Sequence, residues 1–283
     1  MNKAIFENYC SKRISYVVAT KNRAHRLREA LSLCQEYKKL DDELIVIDGA
    51  STDNTGNVVK EFSNIIDTYI SDPDSNADHA FNKGFLVSRG KYLKIICDDD
   101  IFYSAAMDKA SKIMDDNPDI DILVCGGTRQ IGDTTAHVYV PEGANYGSSV
   151  EDVFRYTGCG AGLFIRRSAL SKIGLFETEL RPADIEFVAR SIYMGANVKF
   201  CRVNMFHHVI YEHSSTRVHK EKISIDMKTL KSRYGIIPSH NKCMTIIIQI
   251  FNRLYRIIGI TEFPRGLKKY RFTGTPNWDG GFS

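Results

Sequence analysis

Three largely apolar runs dominate the first part of the chain: Ile14-Ser-Tyr-Val-Val-Ala19, Glu43-Leu-Ile-Val-Ile-Asp48 and Lys91-Tyr-Leu-Lys-Ile-Ile-Cys97. Runs that do not alternate apolar with polar read as strands buried on both faces, the signature of a parallel sheet covered by helices. The stretches between them carry helical spacing. Leu27, Ala30, Leu31 and Cys34 follow the first run, and the turn residues of 49–55, with a helix N-cap, precede Val58, Val59 and Phe62. A weaker strand is expected at 65–70, then a turn-rich loop at 71–76 and a helix through Ala80, Phe81, Phe85 and Leu86. This alternation over roughly the first 100 residues constrains the chain to an α/β class with a mostly parallel, doubly wound sheet.

Beyond it the sequence predicts a helix over 105–114, a strand over 120–125 and extended segments with turns over 128–140. The small residues of 157–162 lead to a strand at 163–166. A short helix at 168–173, a longer one from 182 stopped by Gly195, and a strand at 198–201 complete the pattern.

The third apolar run ends in Asp98, Asp99 and Asp100. Adjacent carboxylates repel unless a cation or a row of donors holds them, and the carboxyl ends of strands are where open α/β sheets bind ligands. Hard oxygen ligands suit Mg²⁺ or Mn²⁺ beside substrate phosphates. The bland alternative is an acidic loop ahead of the helix that starts near Ser104.

A chain of 283 residues can bury one large domain or one and a half. Its net charge of +4 is not diagnostic, and the reading includes no nucleic-acid partner, but the basic excess is C-terminal: between 231 and 271 Glu262 is the single acid. The seven cysteines form no Cys-x-x-Cys pair, and most sit in apolar runs, so they read as reduced core residues. No apolar leader opens the chain and no uncharged apolar run reaches about 18 residues. A cytoplasmic protein is expected, peripheral on the inner face of the cell membrane if it touches one.

Several stretches occur in a recognisable order: Val17-Val-Ala-Thr-Lys-Asn-Arg23, Ile47-Asp-Gly-Ala-Ser-Thr-Asp-Asn-Thr55, Ser71-Asp-Pro-Asp74, Phe81-Asn-Lys-Gly84, Ser88-Arg-Gly-Lys-Tyr92 and the acidic triplet. Together they resemble the ordered motifs of family 2 inverting glycosyltransferases, of the bacterial cell-surface polysaccharide type, over roughly residues 14 to 215. The resemblance implies a GT-A fold over 1–215, with a nucleotide-sugar half at about 14–125, an acceptor half at 126–215, and a helical, basic extension at 216–283. It implies a UDP-sugar as the first choice of donor, a glycan or lipid-linked acceptor, and Mn²⁺ or Mg²⁺ as cofactor.

Position by position, the resemblance places Thr20, Asn22 and Asp48 beside the nucleotide, with Asp72, Asp74, Asn82 and Lys83 as base and diphosphate contacts. On its own, Lys83 reads as a solvated surface lysine, and Asp48 as a turn residue. Asp98 would contact the ribose, Asp99 would be the principal metal ligand and Asp100 a supporting one. The chain departs from the common Asp-Asp after the second strand, having Asp48-Gly49.

An inverting transfer needs a carboxylate that takes the acceptor's proton. Asp184 matches the family's base, with Ala183 where a glutamate is usual; from spacing alone it reads as a helix cap, and Glu186 is the reserve candidate. Among His207, His208 and His213, the resemblance favours His213 for the metal shell. Gly160 to Gly162 would give the acceptor sugar access to backbone.

Residues 244–260 read as an apolar helix with Thr245, Gln249, Asn252, Arg253 and Arg256 on one narrow arc, followed by Arg265, Lys268, Lys269 and Arg271. Such a segment suits an anionic membrane surface, or a core or dimer contact. Two other functions stay open: a sugar nucleotidyltransferase, and a catalytically inactive membrane-bound scaffold of the same fold.

Overall fold

The computed structural model describes residues 10–98, 100–132, 134–138, 149–155, 160–210 and 214–236. Its first half is the alternation the sequence predicts. Strand β1 (Lys12–Thr20) leads through helix α1 (Ala24–Tyr37) to β2 (Glu43–Asp48), through α2 (Thr55–Glu61) to β3 (Thr68–Ser71), and through α3 (Ala77–Val87) to β4 (Gly90–Cys97). These strands pair in parallel in the order β3-β2-β1-β4.

Side chains alternate across each strand, so two apolar layers form. Tyr16, Val18, Leu44, Val46 and Ile96 pack with Leu27, Leu31 and Cys34 of α1 and Val58 of α2 on one face. Val17, Ala19, Ile45 and Ile47 pack with Ala80, Phe81 and Phe85 of α3 on the other. Strands buried on both sides have no polar face, which is why the runs are continuous.

The second half is mixed. Strand β5 (Asp100–Phe102) and helix α4 (Ser104–Asp116) lead to β6 (Ile122–Ile131), which pairs with β7 (Thr134–Val138). Helix α5 (Val150–Arg155) precedes a single 3₁₀ turn at Gly160–Gly162 and β8 (Leu163–Arg166). A short helix α6 (Leu170–Ile173), α7 (Ala183–Tyr193), β9 (Val198–Ile210), α8 (Ser215–Val218) and α9 (Lys220–Arg233) follow. The sheet continues as β4-β8-β6-β9-β5, with β8 antiparallel to β4 and β6, β9 parallel to β6, and β5 antiparallel to β9.

That order bends the sheet. Strands β4 and β5 are four places apart along it, about 19 Å at ordinary strand spacing, yet only Asp98 and Asp99 separate them in the chain, a reach of about 10 Å. The sheet therefore curls, and Asp98 and Asp100 lie where its two halves meet.

Two expectations changed. The third strand is shorter than 65–70, because Ile65 and Ile66 pack against the core ahead of it. Strand β9 runs nine residues beyond Cys201 and carries His207 and His208 into the sheet.

The halves are joined through Phe176. Its ring contacts Phe85 (5.6 Å between centroids) and Phe187 of α7 (4.6 Å), and its backbone N–H and C=O both bond the Asn82 amide at 2.9 Å. The start of the C-terminal extension is docked too: Asp226 of α9 accepts the Arg181 N–H at 2.9 Å, and Leu230 is fully buried. The basic, apolar stretch 244–271 lies outside the described residues.

Gly84 lets α3 settle on β1, since a Cβ there would come within 2.2 Å of Val17 Cγ1. Alanine would gain about 1 kcal/mol of helix propensity, but overpacking costs about 1–3 kcal/mol. Gly84→Ala should therefore lower the unfolding free energy by up to about 2 kcal/mol in denaturant titrations. In a Val17→Ala background the loss should be smaller.

Candidate active site

The carboxyl ends of adjacent strands bring the first group of polar residues together. Ser71, Asp48 and Thr20 lie side by side in register on β3, β2 and β1, and Cys97 of β4 pairs one residue earlier, with Ala19. Thr20 Oγ1 donates to Asp98 Oδ2 at 3.3 Å, and Arg23 Nη1 lies 2.6 Å from Asp98 Oδ1. The buried Asp98 carboxylate is thus held by a hydroxyl and a guanidinium.

Asp48 ties the loops of this edge. One oxygen accepts from the backbone N–H of Ser51 at 3.0 Å and from its hydroxyl; the other accepts from Tyr69 (3.0 Å) and Ser71 (2.8 Å). Asn22 braces the neighbouring loop, taking the Thr52 N–H on its Oδ1 at 2.8 Å while its own N–H bonds Ser51 Oγ at 2.7 Å. Asn22 and Ala50 both have positive φ, 52° and 59°, a conformation that non-glycine residues adopt at some energetic cost. Asp53 accepts the Ala24 and Thr55 N–H groups at the starts of α1 and α2. These bonds, that to the Thr55 hydroxyl foremost, hold its carboxyl below the usual range.

The loop after β3 folds back onto this edge. Lys83 pairs with the Asp72 carboxylate and donates to the Asp72 and Pro73 carbonyls at 3.1 and 2.8 Å, so its charge is fixed rather than solvated. The Asp74 carboxylate lies directly over Gly49, where a Cβ would approach Oδ2 to 2.5 Å. An acid at 49 has no room because an acid from this loop already occupies that space. Burial pushes the Asp74 carboxyl up, against the opposing field of Lys21, 4.0 Å away. Asn82, by contrast, directs its amide to the Phe176 backbone at the junction of the halves.

In the second half of the chain, Asp184 sits in the first turn of α7. Its oxygens accept the N–H of Gly160 at 2.8 Å and of Ile185 at 2.9 Å. A Cβ on Gly160 would touch both Asp184 Cβ and Ile95 Cδ1 at 3.3 Å. Asp184 therefore faces β4 three residues, about 10 Å, before Asp98. The protein packs closely around it, and Val124, Val153, Leu163, Val188 and Phe200 line an apolar pocket beside it. This burial raises its pKa, opposed by the two backbone N–H groups and by Arg129.

Asp78, in the first turn of α3, escaped the sequence reading because an acid there is ordinary helix-terminal charge. Burial, then the charge of Asp184, push it up to about 7, with Arg181 opposing. Glu186 is committed elsewhere: it is buried, its carboxylate holds Arg190 at 2.9 Å, and it accepts the Tyr234 hydroxyl at 3.2 Å.

Asp100 pairs with His208 across β5 and β9, leaving its buried Oδ2 without a partner. His207 bonds Thr128 and Gln130 at 2.7 and 3.1 Å. Of the histidines the sequence singled out, His208 thus meets the triplet. Asp99 and His213 lie outside the described residues, and among those described no three potential ligands gather as a metal cluster. The oxygens of Asp98 and Asp100 that flank Asp99 nevertheless fit a hard divalent cation, and the orphaned Asp100 Oδ2 is a group such a charge would stabilise.

Comparison with known proteins identifies the family and the fold. Residues 15–174, more than half of the chain, match the model of glycosyl transferase family 2. An uncharacterised glycosyltransferase of Rickettsia prowazekii is 26% identical over 183 residues, and one of Rickettsia typhi is 25% identical; each match covers 62% of this chain and 57% of the relative. The chain thus aligns with little more than half the length of these curated relatives.

Among solved structures, S. aureus TarS 1-349 in complex with UDP-GlcNAc superposes with a TM-score of 0.64 at 16% identity, covering 86% of this chain and 73% of that one. The mannosyltransferase PcManGT of Pyrobaculum calidifontis, in complex with GDP-Man and Mn²⁺, gives 0.62 at 18%, covering 80% and 66%. Glucosyl-3-phosphoglycerate synthase of Mycobacterium tuberculosis, in complex with Mn²⁺, UDP and glucosyl-3-phosphoglycerate, gives 0.58 at 15%, covering 84% and 86%. The sheet described above is the GT-A sheet of these enzymes. With the family model spanning both the strand-end edge and the Gly160 turn, the chain belongs to glycosyltransferase family 2.

Proposed function

We propose that the protein is a metal-dependent, inverting glycosyltransferase that moves a sugar from a nucleotide-sugar, a UDP-sugar first, to a hydroxyl of a glycan or lipid-linked acceptor. The observation that carries this reading is the placement of Asp184 across Gly160 from the strand that bears Asp98. A nucleotide at the strand ends and a hydroxyl beside Asp184 would share one crevice.

In this reading the nucleotide lies along the row formed by Thr20, Asp48, Asp74 and Asp98, near Asn22, with Asp72 and Lys83 fixing the loop beneath it. Asp98, Asp99 and Asp100 hold a divalent ion, Mn²⁺ or Mg²⁺, whose chemistry is to offset charge growing on the departing diphosphate. The UDP-GlcNAc, GDP-Man, UDP and Mn²⁺ held by structurally similar enzymes support the donor class and the ion.

Asp184 takes the acceptor proton as the hydroxyl oxygen attacks the anomeric carbon from the side opposite the leaving group, in one displacement. The charge of Asp184 is among the causes that raise Asp78, and in this reading Asp78 holds a proton while Asp184 serves as the charged base. We further propose the division into donor half, acceptor half and basic extension, with 244–271 meeting an anionic membrane surface on the cytoplasmic side, in cell-surface polysaccharide synthesis.

Asp184→Asn should lower transfer about 10²–10⁴-fold while UDP and Mn²⁺ bind with unchanged affinity by calorimetry. Full transfer in that variant would remove Asp184 from the chemistry. Assaying free UDP against pyrophosphate separates transfer from nucleotidyl chemistry, and a wild-type protein that binds no nucleotide in the presence of metal would instead be a scaffold.

A base must be ionised to act, so kcat/KM should fall as pH drops through the Asp184 pKa, which burial places above the ordinary carboxylate value of about 3.9. In Asp184→Asn the like charge beside Asp78 is gone. The Asp78 carboxyl should then titrate below its value of about 7 in carbon-13 NMR; an unmoved titration would show that the two groups do not face one another.

A further inference from the structure

Three polar side chains form a rung across three adjacent strands of the curled half. Asp100 on β5 pairs in register with His208 on β9, which pairs in register with Arg129 on β6. Neighbouring strands lie about 4.8 Å apart, so the rung runs from the acidic triplet to a guanidinium about 10 Å away. Side chains alternate along β6, and Thr128 and Gln130, on either side of Arg129, both bond His207 on the other face.

The two ends of the rung carry unmet bonding capacity of opposite sign. Asp100 Oδ2 and Arg129 Nε are both buried without a hydrogen-bond partner. Arg129 as a whole is half-buried. Its field reaches Asp184, yet no described carboxylate forms an ion pair with it. A buried guanidinium N–H left unbonded is costly, and a planar donor fork is the group best shaped to take a carboxylate or phosphate.

We propose that Arg129 is the anion-recognition residue of the acceptor site, taking a phosphate or carboxylate carried by the acceptor next to the hydroxyl that faces Asp184. This rests on the glycosyltransferase reading for the word acceptor, but anion binding by Arg129 does not. Arg129 then selects acidic acceptors over neutral ones, and the cation is positioned so that the acceptor's charge does not collide with Asp184 uncompensated.

The test titrates the full chain, first saturated with UDP and Mn²⁺ to fill the donor site, with glycerol 3-phosphate, glucuronate, and the uncharged controls glycerol and glucose, by calorimetry. The wild type should bind at least one anion ten-fold or more tighter than its uncharged control, and which anion wins distinguishes phosphate from carboxylate. Arg129→Gln should lose that preference, and Arg129→Lys should retain part of it.

Equal affinity of the wild type for charged and uncharged probes would overturn the proposal. So would an undiminished preference in Arg129→Gln, including the case in which that variant only moves the pH profile of transfer through Asp184. If Arg129→Gln fails to fold, the wild-type preference and the Arg129→Lys response decide. A protein that binds no UDP sinks the glycosyltransferase reading alone, because inorganic phosphate titrated without nucleotide still reads out Arg129.

Discussion

The step from β4 to β5 governs this molecule. Two residues must carry the chain between strands that the hydrogen-bonded order places four positions apart, and only a curled sheet can accommodate that. Curling brings the edge where the parallel strands end, at Thr20, Asp48 and Cys97, toward the turn at Gly160 and the start of α7. The carboxylates fall at the seam because the seam is where β4 must stop. Their mutual repulsion is met by Arg23 and Thr20 on Asp98 and by His208 on Asp100, so each half of the sheet supplies a partner.

Packing at the seam has little slack. Gly162 has no room for a Cβ, which would fall 2.2 Å from the Cys125 carbonyl, and Gly160 fits between Ile95 and Asp184. The fully buried Lys94 donates to the Ala161 carbonyl, fastening that turn to β4. On the same face of the sheet, Arg166 is fully buried against the carbonyls of Met114 and Ile120 near the end of α4, both at 2.8 Å. Buried cations satisfied by carbonyls hold position without adding a negative charge near a site that already has several.

Much of the first half was legible in the sequence because its physics is local. A strand covered on both faces must be apolar throughout, so 43–48 could be read with its bounds. The helices between strands must show one apolar stripe, so Leu27, Ala30, Leu31 and Cys34 were placed on the core side. The second half was less legible. Strand β9 was expected to stop at Cys201, because Arg202, Asn204, His207 and His208 interrupt the apolar pattern; they belong to a strand whose polar side chains answer other strands.

Roles that depend on long-range approach were hidden altogether. Nothing local distinguishes Asp78 from an ordinary first-turn acid, and its partner is more than a hundred residues away. The missing acid at 49 looked like a departure from the family pattern, but Asp74 fills its place in space. The reserve candidate Glu186 could not be told from a free carboxylate until Arg190 and Tyr234 were seen to hold it.

The central claim is that a metal-bound nucleotide at the triplet and the Asp184 turn occupy the same crevice. Paramagnetic broadening by Mn²⁺ in the presence of UDP, read on backbone amide resonances, measures this most directly. The account predicts the strongest broadening around residues 98–100, with Gly160 and Ile185 also affected, and none of it when Mg²⁺ replaces Mn²⁺. Broadening centred elsewhere, or a Gly160 signal that is untouched while the triplet vanishes, would contradict it.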